Sequence, residues 1–364
     1  MDSATQFVLG ACVGAAALGP GIGPRKAVIV GGLLGTVPDL DVFFPYDGPV
    51  DSFVLHRGAT HSLVVHLLAT PLFGEAILRL FRAFGKAEQP LSRWRVYAAV
   101  YLCFATHALL DAMTVYGTQL FWPISAEPFG LGSIFIIDPL YTLPLLVLTI
   151  WALFLSRWQD RFRRGLMAAF MLSTGYLAWS AGAQQVALAR AADAVGERLP
   201  ADRFLATPVP FNTLFWKVVL LRDDDYVNLY VPLLGGTEEV LAYAHHRNVE
   251  ALSCASSLTE LNRIAEFSEG FVRLEREGEI VRVADLRMGL TPDYVFRFEI
   301  GQLTPNGILP IVAERLRPVR ELSRDLDWLI NGVMGKGTVR EAERVNRVDL
   351  PLDADVLPPL DLGC

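Results

Sequence analysis

With 364 residues the chain is long enough for two domains, and its 52% hydrophobic content and mean hydropathy of +0.36 exceed what a soluble globule carries. A net charge of −7 without a clustered basic stripe argues against a nucleic-acid partner. The four cysteines, Cys12, Cys103, Cys254 and Cys364, form no C-x-x-C pair, which argues against a thiolate cage or redox centre; Cys254 and Cys364 could pair if exported.

The hydrophobic excess lies before about residue 185, in apolar stretches at 4–22, 27–44, 62–82, 96–113, 138–156 and 165–184. Most approach the roughly 20 residues that a spanning helix needs. The sequence therefore predicts an α-helical membrane domain of about six segments over residues 1–185, a linker at 186–207, and an exported domain at 208–364. Met-Asp-Ser-Ala-Thr at the start carries an acid where an export signal carries bases, so it is not read as a signal peptide. Gly19-Pro-Gly-Ile-Gly-Pro has no preceding strand and reads as a hairpin turn rather than a phosphate loop. The second segment has only about 11 apolar residues between Lys26 and Pro38, so it either spans or re-enters.

Polar groups that are costly in hydrocarbon mark the ends of these segments. Asp39 and Asp41 stand in Pro38-Asp-Leu-Asp, His56 and His61 in His-Arg-Gly-Ala-Thr-His-Ser, and His107 and Asp111 close the fourth segment. Residues 114–137, with Trp122, Phe129 and three glycines, read as a loop that is either an interfacial belt or a lid. Eleven Lys and Arg residues, from Arg25 to Arg164, fall in the odd-numbered connections, and the alternate connections hold only Arg57. Short basic loops stay cytoplasmic, so the histidine-bearing connections and the C-terminal half are expected on the periplasmic side.

Beyond the apolar half, Leu214–Leu220, Tyr226–Val231, Phe271–Leu274 and Tyr294–Ile300 alternate like half-buried strands, while 256–267 and 310–333 look helical. This predicts an α+β domain with antiparallel strands. His245 and His246 read as a surface loop, and no G-x-S-x-G elbow occurs.

The chemistry is carried by the polar groups. His107 and Asp111 are four apart, so a helix puts them on one face. Asp39 and Asp41 are two apart, and an extended stretch points them the same way. His56 and His61 are separated by Gly58, which permits a tight turn. Three imidazoles with three carboxylates suit Zn²⁺, Mn²⁺ or Fe²⁺, as one ion with surrounding orienting groups or as two ions. We assign Asp39, His56, His61, His107 and Asp111 as metal ligands, Arg57 as a stabiliser of an anionic transition state, and Asp41 as a second catalytic group. His66, five residues past His61, is turned away from that face and reads as packing.

Pro38-Asp-Leu-Asp, His56-Arg-Gly-Ala-Thr-His-Ser, and His107-Ala-Leu-Leu-Asp-Ala-Met-Thr with Tyr116-Gly117 resemble a family of LexA-regulated, membrane-bound, predicted metal-dependent hydrolases of bacteria. The resemblance covers residues 1–185, and Thr207-Pro-Val-Pro-Phe-Asn followed by Trp216 looks like the exported extension of its longer members. It implies an inner-membrane hydrolase that uses a divalent metal. A shorter likeness to zinc phospholipases C, in His-x-x-x-Asp, favours a phosphoester or lipid-linked, amphiphilic substrate. A metal or ion transporter, or a metal-stapled scaffold that binds a partner, are the competing readings.

Overall fold

The computed structural model describes residues 1–84, 91–196, 203–223, 225–248, 258–305, 307–317 and 325–352. Its first unit is Met1–Pro45 with Leu55–Ala181, and its second is Tyr46–Val54 with Gly182–Cys364. Cys254 and Cys364 lie outside the described residues.

The first unit is helical. Helix α1, Ser3–Ile22, is capped by Asp2, whose carboxylate accepts from the Ala4 and Thr5 amides, and it ends at Gly23 with φ 83°. Proline at the first position then starts α2, Pro24–Thr36. The two helices meet backbone to backbone: a Cβ at Gly31 would lie 2.3 Å from Gly10 O, and one at Gly14 2.5 Å from Gly31 Cα. Gly10/Gly14 and Gly31/Gly35 are two four-residue glycine spacings, of the kind that lets apolar helices approach closely. A 3-10 turn, Pro38–Phe43, follows α2, then α3, Pro49–Leu55, and a second 3-10 turn, Ala59–His61.

Helices α4, Leu63–Phe84, α5, Arg93–Ala112, α6, Pro139–Phe154, and α7, Asp160–Val195, complete the apolar half. Every predicted apolar segment is helical, but six spans is a correction: α1, Leu63–Ala83 and α7 are long and apolar enough to cross a membrane. Helix α2 has 13 residues and α6 16, both short of a span. Helix α5 is long enough, but Arg93, Arg95, His107 and Asp111 lower its hydropathy. On α4, Leu67, Leu68, Leu72 and Leu80 are exposed, a face suited to lipid.

The stretch read as a linker is, up to Val195, the last turns of α7, followed among the described residues by strand β1. Strands β1, Phe204–Pro208, β2, Phe215–Leu221, β3, Asp225–Pro232, β4, Leu241–His246, and β11, Arg347–Val348, form an antiparallel sheet in that order. Strands β5, Val272–Glu277, β6, Ile280–Asp285, β9, Arg297–Thr304, and β10, Gly307–Arg315, form a second, ordered β10-β9-β6-β5, and β7, Gly289–Leu290, pairs with β8, Asp293–Tyr294. The α+β antiparallel class is as expected, with two differences in detail.

Strands β2 and β3 are buried along their whole length rather than half-buried. Trp216, Val218 and Leu220 pack with Ala183, Ala187 and Ala191 of α7, while Val219 and Leu221 pack with Phe271 and Tyr294. Both faces are therefore covered. The helical reading of 256–267 is met by α8, Thr259–Phe267, but that of 310–333 is correct only for α9, Leu326–Val333. Residues 310–315 belong to β10, because a short turn between Thr304 and Gly307 folds them back on β9 and pairing overrides the helix-like pattern.

Candidate metal centre

The α1–α2 contact positions the carboxylates. Close packing at Gly31 and Gly35 leads the chain from α2 directly into the Pro38–Phe43 turn, which carries Asp39 and Asp41. The Gly35 carbonyl, among the last of α2 and so without an intrahelical partner, accepts the His107 Nδ1–H at 2.6 Å. That bond fixes the tautomer and turns Nε2 toward the carboxylates.

His61 is oriented in the same manner. Its Nδ1 lies 3.0 Å from Thr60 Oγ1, and the Thr60 hydroxyl donates to Asp41 Oδ2 at 2.8 Å, leaving Nε2 facing inward. Asp41 also accepts the Arg57 amide at 3.2 Å and contacts His56 Nδ1 at 3.0 Å. His66, on α4, donates from Nε2 to Thr60 O at 2.7 Å and packs on Phe104. It stands outside the ligand group but steadies the turn that carries His61.

Four ligand atoms converge. His61 Nε2 is 3.1 Å from His107 Nε2, 3.4 Å from Asp39 Oδ1 and 3.3 Å from Asp111 Oδ2. His107 Nε2 is 3.4 Å from Asp39 Oδ1 and 3.5 Å from Asp111 Oδ2. A tetrahedral ion with bonds of 2.0–2.1 Å spaces its ligand atoms by about 3.3–3.4 Å. The group Asp39, His61, His107 and Asp111 thus has the chemistry and spacing to hold a divalent ion.

Burial supports the fit. His61, His107 and Asp111 are 1% exposed or less, and Asp111 Oδ2 has no hydrogen-bond donor. Its other oxygen accepts from Gln6 Nε2 at 3.0 Å and from the Met1 amino group. A buried carboxylate oxygen left without a donor is costly, and a cation between the two carboxylates and two imidazoles removes that cost. Burial would raise the Asp39 carboxyl, but the imidazoles of His107 and His61 outweigh it and hold this group well below the usual carboxylate range.

Arg57 borders the four. It is buried, its Nε is 3.2 Å from Asp111 Oδ2, its Nη1 donates to Thr114 Oγ1 at 3.0 Å, and its guanidinium stacks over Tyr116. Its backbone is left-handed, φ 64°, which costs a non-glycine residue on the order of 1 kcal/mol. Residues 114–137 supply Thr114 and Tyr116 and dock on the preceding turn through Gln119 N to Arg57 O.

His56, assigned as a ligand from sequence, is not among the four; it sits beside Asp41, partly exposed. Asp41 likewise touches no atom of His107 or Asp111 in the hydrogen bonds and ion pairs of this group, and acts on the turn that bears His61. Two features escaped sequence reading: the hydroxyl relay through Thr60, and the Gly35 carbonyl. The paired G-x-x-x-G spacings were the available signal for the second. His245 is not on a surface loop but on β4, where Glu343 holds its Nε2 at 2.8 Å.

No curated protein and no solved structure gives a significant match to the chain. A family model described as YdjM inner membrane protein matches residues 1–187, the region that contains every block of the motif resemblance. With about half of its length, and all four converging ligands, inside that match, the chain belongs to the YdjM inner membrane protein family.

Proposed function

We propose that the protein is a divalent-metal-dependent hydrolase of the inner membrane, with its site at the periplasmic face and a phosphoester or other lipid-linked, amphiphilic molecule as substrate. The observation that carries this reading is the convergence of Asp39, His61, His107 and Asp111 at the spacing of a coordination shell, with a buried guanidinium against it. The periplasmic assignment is supported by the eleven-to-one distribution of basic residues.

A divalent ion held there, zinc in the first place and manganese or iron as alternatives, supplies Lewis acidity toward water and a substrate oxygen. The protein's own groups do the rest. Asp41 and Thr60 hold the His61 ring, and Gly35 holds His107. Arg57 is a fork suited to a phosphoryl oxygen and lies on the side of the site bordered by Tyr116. His56, one-quarter exposed and backed by the Asp41 carboxylate, is the group with both solvent access and a partner for proton transfer.

One observation favours the metal-stapled scaffold. Four protein ligands fill a tetrahedral shell, as structural sites do, whereas a catalytic ion keeps a position open. The two readings separate cleanly. Elemental analysis of purified protein, with His61→Ala and Asp111→Asn beside it, is expected to give stoichiometric metal only in the parent. Phosphodiester and carboxyl-ester substrates are then tested with the loaded protein. Full metal without turnover establishes the staple, and metal-free folded parent protein eliminates both.

A further inference from the structure

Between Asp41 and Arg57 the chain leaves the helical unit and returns. Asp41 Oδ2 accepts the Arg57 amide at 3.2 Å and so clasps the two ends of this excursion. Its middle, Tyr46–Val54, belongs to the second unit. There Phe53, on α3, is 2% exposed, with its ring 4.5 Å from Phe296, 4.9 Å from Phe267 and 5.4 Å from Phe298. Asp51, one half-turn earlier, pairs with Arg263 of α8. The same nine-residue piece is thus an integral part of the sheet unit's aromatic core while its flanks are Asp39 and Asp41 on one side and His56, Arg57 and His61 on the other.

We propose that Phe53 is a positioning residue for the metal centre, and that the C-terminal unit acts through it to hold the ligand-bearing loop in register. The inference rests on the metal reading of Asp39, His61, His107 and Asp111. Its physical basis is chain connectivity. A loop anchored in its middle by a buried aromatic ring has few conformations left at its ends, so the entropy of ordering Asp39 and His61 is met before the cation binds. It also gives the exported unit a task, since without it the loop keeps only the Asp41 clasp.

The test uses the full chain in detergent and Co²⁺ as probe, read by its visible absorption and its affinity. Phe53→Ala is expected to weaken Co²⁺ binding about tenfold, as loss of orienting groups does elsewhere, and Phe53→Leu to recover most of it. Because Phe53→Ala removes core packing, Asp51→Arg gives a second arm: an exposed ion pair contributes little to stability, so this variant folds, binds Co²⁺ several-fold more weakly, and returns to within twofold of the parent when Arg263→Asp is added. Leu329→Ala on α9 destabilises the same unit away from the loop and is expected to leave Co²⁺ affinity unchanged. Parent-like affinity in both Phe53→Ala and Asp51→Arg overturns the proposal, as does an equal loss in Leu329→Ala. A parent protein that binds no Co²⁺ overturns the metal reading together with it.

Discussion

His61 and His107 present the same ring nitrogen inward because each spends its other nitrogen on a group that has nothing better to bond: a helix-terminal carbonyl for His107, a threonine hydroxyl held by a carboxylate for His61. Removing the relay without touching a ligand is a direct test. Thr60→Val is expected to weaken metal binding by about 10- to 100-fold, measured by Co²⁺ titration, with the helical circular dichroism unchanged. Arg57 answers a different question. If it serves an anionic transition state, Arg57→Lys keeps the metal but lowers phosphodiester turnover by about 100-fold, since an ammonium lacks the planar fork. Parallel loss of metal in that variant would assign Arg57 to supporting Asp111 alone.

At the scale of elements, the α1–α2 hairpin determines where the acidic turn can stand. Any side chain at Gly31 meets the Gly10 carbonyl, which is backbone and cannot rotate away. Gly31→Leu is therefore expected to separate the helices at a cost of about 3 kcal/mol or more, and to reduce metal content with it, because Asp39 and the Gly35 carbonyl travel with α2. Thermal unfolding and elemental analysis of the same sample check both. Gly175 has open space around its Cβ position, so Gly175→Ala is the control that leaves metal content unchanged.

For the molecule as a whole, the two units have different acid sensitivities. In the sheet unit Glu343 is fully buried and receives hydrogen bonds from Asn228, Tyr230, Arg340 and His245. Burial alone would raise its carboxyl, but the His245 hydrogen bond, the Arg340 charge and the Tyr230 hydroxyl outweigh it and hold the group at about 2, against an ordinary value of 4.5. The folded value is the depressed one, so the stabilisation, on the order of 3 kcal/mol, is complete above about pH 4.5 and is lost as pH falls toward 2. Chemical denaturation between pH 6 and pH 3 is expected to show this decline in the parent and a flatter profile in Glu343→Gln.

The sequence alone determined the membrane half, the antiparallel domain and the residue types of the metal group, because hydrophobic length, period-two alternation and an i, i+4 His/Asp pair are local properties that need no partner to be legible. The number of true spans was less legible: α2 and α6 are apolar, but their lengths are set by capping and turns that hydropathy does not register. Residues 310–315 went astray for a related reason, since strand pairing with β9 is decided by a residue well upstream in the chain. Only the tertiary structure decided which of the polar groups meet. His56 and His61 are indistinguishable as a motif, yet Asp41 draws His56 aside while Thr60 turns His61 inward. It also joined Tyr46–Val54 to the sheet unit, which no local pattern could announce, because the aromatic rings that receive Phe53 come from residues more than two hundred positions away.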